Sequence, residues 1–542
     1  MTKPLETART ALIAQLEQAD TFDIAIIGGG ATGLGVALDA ALRGFKVVLL
    51  ESHDFAKGTS SRATKLVHGG VRYLAQGNVA LVHEALHERT NLLQNAPHIA
   101  QPLPFVMPAY KFWEAPFYGA GLKAYDLLAG AAGLGATEFL SRNQTLQTLA
   151  GLNASGLKGG VKYWDGQFDD ARLALALART AAQQGALLLN YCPVTKLLHD
   201  KGKVVGLQCQ DSETGTSYKI KSKCVINAAG VWVDELRKQD GAAMHTPTAD
   251  IVAPSQGVHV VVDRAFMPCD TAMMIPKTAD GRVLFAVPWL GKTILGTTDT
   301  PRHDLAREPA PFKEELQFIL NESANYLTKA PTRRDIKSIW VGLRPLVKPA
   351  ENSGDTKTIS REHTVLVSSS GLVTVTGGKW TTYRAMAEDV LAQCFDANLL
   401  PTRAAGVTKS FKLVGAQHSP SAANTHRAKS NPSAHNMSVQ NLSVPQGLHS
   451  YGDEADVVSQ LPGQQNVLHP GLTEAMVRFA ARHEYARTVE DVLARRSRLL
   501  FLDAKLAATL GEAVAQILQE ETHTNPQLDA FMALAKQYQS LP

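Results

Sequence analysis

Apolar positions along this chain fall into two rhythms. Residues 24–27 form a short unbroken apolar run, as expected of a strand buried on both faces. Residues 31–43 have helical composition, and a second apolar run at 47–50 ends on the acid Glu51. Together these predict a strand–helix–strand unit that begins near residue 22. Farther on, 170–184 reads as a helix, and the runs 187–192, 203–210 and 217–222 read as a β-meander. Residues 225–227 return as a strand that closes on Ala228, Ala229 and Gly230, small residues that allow close backbone approach. From 251 to 367 the pattern is strand-rich, with runs at 259–262, 283–287, 293–295 and 364–367. A buried strand at 371–376 and a helix at 381–394 follow, and 472–519 shows helical patterning.

Composition narrows the class. At 542 residues the chain calls for two or three domains, and 45% hydrophobic with 19% charged residues marks a globular protein. A net charge of +4 without any basic block argues against nucleic acid as the main partner. The five cysteines lack C-x-x-C spacing and read as reduced thiols, and no metal-ligand spacing is present. Residues 1–21 carry no signal-peptide core, and no apolar stretch reaches transmembrane length. The nearest candidate, 117–136, contains Lys123 and Asp126; it reads as a core helix, with an interfacial helix as the alternative. Residues 417–447 are rich in Ser, Asn, His and Pro and read as a flexible linker, with His418, His426 and His435 as solvated loop residues.

Between the first strand and helix stand Gly28, Gly30 and Gly33, a G-x-G-x-x-G turn. The first glycine permits the tight turn, the second lets backbone approach a pyrophosphate, and the third lets helix pack on strand. The helix amino terminus offers N–H groups and partial positive charge to phosphates. Glu51 follows Gly33 by 18 residues, where an acid meets a ribose hydroxyl. An ADP-containing cofactor is therefore expected. The next segment, 58–73 (GTSSRATKLVHGGVRY), combines the hydroxyls of Thr59, Ser60 and Ser61 with Lys65, Leu66, His68, Arg72 and Tyr73. Its glycines leave room for a flat ring, which suits a flavin better than a nicotinamide.

The ordered motifs IIGGGATGLG, TSSRATKLVHGGVRYL, ILGTTDT, VGLRPL and TGGKWTTYR resemble those of the FAD-dependent glycerol-3-phosphate dehydrogenases, relatives of the α-glycerophosphate oxidases. The resemblance spans 22–395 and extends to 491–503. It implies an α/β fold: a glutathione-reductase-like FAD-binding domain, an antiparallel-sheet substrate domain and a C-terminal helical domain. The expected boundaries are a lead at 1–21, the FAD domain at 22–250 with its return at 368–410, the substrate domain at 251–367, the linker at 411–447 and the helical domain at 448–542. It also implies oxidation of sn-glycerol 3-phosphate to dihydroxyacetone phosphate. Electrons would pass to membrane quinone, from a protein peripheral on the inner face of the cytoplasmic membrane. A homodimer is left open.

Read alone, the residues suit that chemistry. A phosphomonoester needs several cations, with Arg favoured for forked hydrogen bonding, and Arg72, Arg344 and Lys379 are the candidates, with Tyr73 bounding the pocket. His68 is the first candidate base, His259 the rival, and Arg344 could stabilise a developing alkoxide. Gly378, Lys379, Thr381 and Thr382 open a helix whose amino terminus can face the flavin's pyrimidine edge. Ala229 and Gly230 complete the expected cofactor contacts, and Thr297, Thr298 and Asp299 the site lining. The alternatives are an oxygen-using oxidase, an amine-oxidising flavoenzyme, or a flavin sensor without turnover. The 34 residues between Arg344 and Lys379 leave little room for the insertion that such oxidases carry.

Overall fold

The computed structural model describes residues 4–74, 77–278, 281–348, 362–416 and 442–542, with Arg72 and Tyr73 described in backbone alone. The expected strand–helix–strand unit is its nucleus. Strand Phe22–Ile27 pairs in parallel with Val47–Leu50 on one side and with Ser217–Asn227 on the other. Leu187–Leu189 and Leu372–Gly377 extend the parallel sheet outward, and His363–Val367 closes one edge antiparallel. Helices Ala31–Leu42, Asp170–Gln183 and Tyr383–Asp396 pack together beside it. Ile24, Ile26, Val47 and Leu49 are fully buried, as unbroken apolar runs require when helices and chain cover both faces.

A second, ten-stranded sheet crosses the chain differently from expectation. Its centre includes the predicted substrate-domain strands, Val252–Asp263, Leu284–Trp289 and Lys292–Gly296, with Ser338–Val347 paired along the first of them. Four of its ten strands, however, come from earlier residues: Leu66–Val67, Ala100–Ala109, Glu138–Ser141 and Gly159–Phe168. The substrate sheet thus takes in strands from a stretch expected to be FAD domain, and His363–Val367 goes the other way. The β-meander is Val194–Asp200, Lys203–Gln210 and Ser217–Asn227, so residues 187–189 belong to the parallel sheet rather than to it. Residues 417–441 of the expected linker, with His418, His426 and His435, lie outside the described residues. Its end is packed: Leu442 is buried, and its carbonyl accepts from Leu290 N at 2.6 Å.

Helix Glu114–Ala129 is not a core helix. Its inner face buries Leu122, Tyr125 and Ala129, while its outer face meets solvent. Among the described residues no helix is long and apolar enough to cross a membrane. The five cysteines carry no disulfide; Cys224 and Cys394 lie with sulfurs 3.7 Å apart in the core.

The C-terminal helical domain (Glu474–His483 through Leu528–Gln539) is keyed to the nucleotide domain by charge. The π-helical turn Asp491–Arg496 directs Arg495 and Arg496 onto the fully buried carboxylate of Asp54. Arg495 also bridges Glu490 at 2.7 Å and Asp491 at 2.8 Å, and Glu490 takes Lys57 at 2.7 Å. Burial pushes the Asp54 carboxyl up, but Arg496 and Arg495 outweigh it and hold the group ionised below its usual range. Replacing Asp54 with Ala leaves two guanidinium groups buried without their shared anion. That is expected to destabilise the protein by about 3–5 kcal/mol, measurable as a fall in the denaturant midpoint.

Candidate active site

The site begins where the parallel strands end. Gly28 sits at φ +111°, and a Cβ there would lie 2.6 Å from Ala228 O. A Cβ on Gly33 would lie 2.0 Å from Gly28 O, so helix and turn can meet this closely only through glycine. Ala229 and Gly230 stand across from this turn, with Gly230 O accepting from the Thr376 hydroxyl at 3.2 Å. Ser60 Oγ accepts from Ala31 N at 2.9 Å, which places the serine loop against the helix amino terminus beside Gly30. Glu51 receives Gly29 N at 2.7 Å, so its carboxylate is anchored at the rim where a ribose would lie. This cradle fits the ADP half of FAD.

Beyond it opens a cavity of about 290 Å³ between the two sheets. Its walls include residues of Thr59 to Val71, Gly257 and His259, Thr297 to Asp299, Arg344, and Gly377 to Thr381, all distant in sequence. Four cations (Arg62, Arg282, Arg344, Lys379) and two acids (Asp165, Asp299) line it among the described residues. That balance favours an anionic ligand.

Arg344 lies on strand Ser338–Val347 opposite Ser255. Its guanidinium donates to Thr298 O at 2.9 Å and to the Thr297 hydroxyl at 3.2 Å, and lies 3.5 Å from Asp299. The group is therefore aimed rather than loose. His259 is buried, stacked on Trp340 at 4.1 Å and 17°, and its Nε2 shares a hydrogen bond with the Thr64 hydroxyl at 2.9 Å. Burial first, then the positive charges of Lys65 and Arg344, hold its pKa well below the usual histidine value. His259 is a neutral imidazole at working pH. His68, half-buried, also faces the cavity, and its backbone N and O both meet the Thr381 hydroxyl at 3.3 Å. That pair of bonds ties the histidine loop to the buried first turn, Trp380–Thr382, of the helix that follows. Thr382 is buried one position farther on, its hydroxyl against Lys379 O at 3.4 Å.

The structure thus gathers His68, His259, Arg344, Lys379, Gly378, Thr381, Thr59 and Leu66 around one cavity. Ser61 is buried with its carbonyl turned to Lys65 and Arg498. The side chains of Arg72 and Tyr73 lie outside the described residues. Lys65 departs from expectation. Its ammonium is fully buried away from the cavity, 2.7 Å from Asp170 and 4.7 Å above the Trp340 ring, and burial brings its pKa down to about 7. Its backbone lies in the left-handed region at φ +66°, and its charge belongs to the junction with Arg498 and not to the cofactor.

Two lining residues, Thr64 and Arg282, and the ring that supports His259, Trp340, carry roles that the motifs do not announce. Thr64 is the only hydroxyl between Ser61 and His68, and that is the signal by which a partner for the buried His259 is legible. Trp340 precedes VGLRPL, but its stacking on His259 depends on register across paired strands. Arg282, its guanidinium 4.0 Å over the Phe318 ring, carried no local signal.

Comparison with known proteins agrees with this geometry. A family described as FAD dependent oxidoreductase matches residues 23–384, and the C-terminal domain of alpha-glycerophosphate oxidase matches 406–527. A probable mitochondrial glycerol-3-phosphate dehydrogenase of Caenorhabditis elegans is 42% identical over 95% of this chain and 72% of its own. The chain belongs to the FAD-dependent glycerol-3-phosphate dehydrogenase family. A mitochondrial member from Arabidopsis thaliana is 38% identical over 96% of this chain and 86% of its own. The family's Bacillus halodurans structure, complexed with FAD, superposes with a TM-score of 0.75 at 30% identity, covering 98% of each chain. Family membership gives the glycine cradle its cofactor and accounts for a helical domain after the flavoprotein core.

Proposed function

We propose that this chain oxidises sn-glycerol 3-phosphate to dihydroxyacetone phosphate and hands the electrons to a membrane quinone. The observation that supports this best is one cavity holding Arg344, Lys379, His68 and His259 just beyond a dinucleotide cradle. A phosphomonoester dianion suits Arg344 and Lys379, with the forked guanidinium gripping two oxygens. Arg72 is proposed as a third cation and Tyr73 as a pocket wall. His259, neutral and fixed by Trp340 and Thr64, orients the substrate hydroxyl by hydrogen bonding; its depressed basicity makes it a poor proton acceptor. His68, on the loop tied to Thr381, takes the hydroxyl proton. When bound, FAD supplies the acceptor for the hydride leaving C2. Gly28, Gly30, Gly33 and Glu51 hold its ADP half, and Ser60, Ala229, Gly230, Gly378, Thr381 and Thr382 border the remainder.

The rest of the reading is a peripheral protein on the inner face of the cytoplasmic membrane. A second reading, with oxygen as acceptor, draws on the C-terminal match to alpha-glycerophosphate oxidase. One experiment tests both. The purified protein is expected to be yellow, and anaerobic glycerol 3-phosphate is expected to bleach it while glycerol leaves the colour. Bleaching by an amino acid instead would move the chain to amine oxidation. Peroxide formed in air at the rate of turnover would favour the oxidase over quinone reduction.

A further inference from the structure

Helix Val79–Asn95 carries the sequence His83-Glu84-Ala85-Leu86-His87 on its second and third turns. Residues four apart share one helix face, so the two imidazoles stand one above the other. The structure brings their Nε2 atoms to 3.1 Å, with ring centroids 4.4 Å apart, so the nitrogen-bearing edges face each other. Both residues are exposed, and neither has another partner among the described residues. A His-x-x-x-His pair on a helix is metal-ligand spacing, which corrects the expectation that the chain has none.

The spacing suits an ion. A tetrahedral ion about 2.0 Å from each of two ring nitrogens sets them about 3.3 Å apart, close to the separation observed. The backbone beneath the pair is also fixed in advance. On the inner face Val82 and Leu86 are fully buried, Arg89 meets Asp165 at 2.9 Å, and Glu88 holds Arg384 at 2.7 Å. The Asn78 side chain caps the helix by accepting from Leu81 N at 3.1 Å. Binding then costs only side-chain freedom. Exposed Glu84 joins no ion pair among the described residues, so its charge adds to the attraction for a cation.

Among the described residues no group of three or more His, Cys, Asp or Glu forms a cage. Zinc hydrolases place three protein ligands around their water, so this pair is a binding site and not a second catalytic centre. Imidazole suits zinc, copper and nickel rather than magnesium or calcium. We propose that His83 and His87 hold one divalent transition ion such as Zn2+, with water as its remaining ligands. Leu86, between the two histidines, packs under the loop of His68: a Cβ on Gly69 would lie 2.7 Å from its Cγ. A bound ion clips the helical turn that carries this contact and stabilises the folded chain by mass action.

The test uses holoenzyme without an affinity tag, stripped of metal by chelator and titrated with Zn2+ by calorimetry. His83→Ala, His87→Ala and His363→Ala are titrated beside it. His363, 2.9 Å from Asp389, is the control for adventitious binding by an imidazole and a carboxylate. Wild type and His363→Ala are expected to share one zinc-binding step that weakens at least about tenfold in His83→Ala and in His87→Ala. Excess Mg2+ should leave that step in place. Saturating zinc should raise the thermal midpoint of wild type more than that of His83→Ala or His87→Ala. Without metal, both of these variants should keep the flavin spectrum. The proposal is overturned if wild type binds no zinc, if both variants bind it as wild type does, or if Mg2+ displaces it. The pair would then be a hydrogen bond between two rings and nothing more. It is equally overturned if either variant loses its flavin in metal-free buffer, since the histidines would then serve the fold.

Discussion

Replacing Arg344 with Ala is expected to lower kcat/KM for glycerol 3-phosphate by about a hundredfold, while the protein stays yellow. The guanidinium is held by Thr298 O, the Thr297 hydroxyl and Asp299, so it reaches the cavity already oriented. Removing it deletes the forked donor and leaves the Asp299 carboxylate nearer the incoming dianion. Losing a hydrogen-bonded charge partner of this sort costs about 3 kcal/mol, which is roughly that factor. Lys at this position restores charge but not the fork, and should recover only part of the loss. Steady-state kinetics with glycerol as comparator would check the assignment. The preference for the phosphorylated substrate should shrink in the variant. A colourless variant would instead place Arg344 among the groups that hold the cofactor.

The parallel core was legible because its signals are local. The turn at Gly28, Gly30 and Gly33, the apolar run before it and Glu51 after it lie within one stretch of chain, and the structure assembles them as read. The ten-stranded sheet was not. Strand Ala100–Ala109 carries Pro102, Pro104 and Pro108, which sequence patterning demotes. In the sheet these prolines share alternate register positions, opposite Gly166, Trp164 and Gly160, so the intervening residues keep their ladder bonds. Its position between Gly159–Phe168 and Ala272–Ile275 depends on pairing across long separations that periodicity does not record.

The same contrast runs through the site. His68, Arg344 and Lys379 were readable from motifs, whereas the partner each would take was not. Lys65 shows the limit. Sequence placed it beside the flavin because it stands in the same hydroxyl- and glycine-rich segment, but a left-handed backbone and the pull of Asp170 turn its ammonium away from the cavity. Its role is instead shared with Arg498 from the C-terminal domain, 3.0 Å from the same aspartate. The arginine-rich stretch at 491–503 therefore has a structural reason. It supplies the cations that fix the underside of the loop carrying His68.

Replacing His68 with Ala is expected to slow anaerobic flavin reduction at saturating glycerol 3-phosphate by about a hundred- to ten-thousand-fold, the range for loss of a general base. Substrate affinity should change far less, because the phosphate cations remain. The two histidines separate by pH. His259 is already neutral across the working range, since burial and the charges of Lys65 and Arg344 disfavour its imidazolium. It therefore cannot produce a titration in the rate near neutrality. If His68 is the base, the reduction rate in wild type should rise with pH as its imidazole loses a proton, and that rise should vanish in His68→Ala. In His259→Gln the rise should survive, with the penalty falling on substrate binding. Stopped-flow reduction across a pH series in the three proteins decides between them. Should His68→Ala keep the wild-type rate while His259→Gln loses it, the proton acceptor is His259. The dianion bound beside Arg344 would then have to offset the positive charges that weaken its basicity in the free protein.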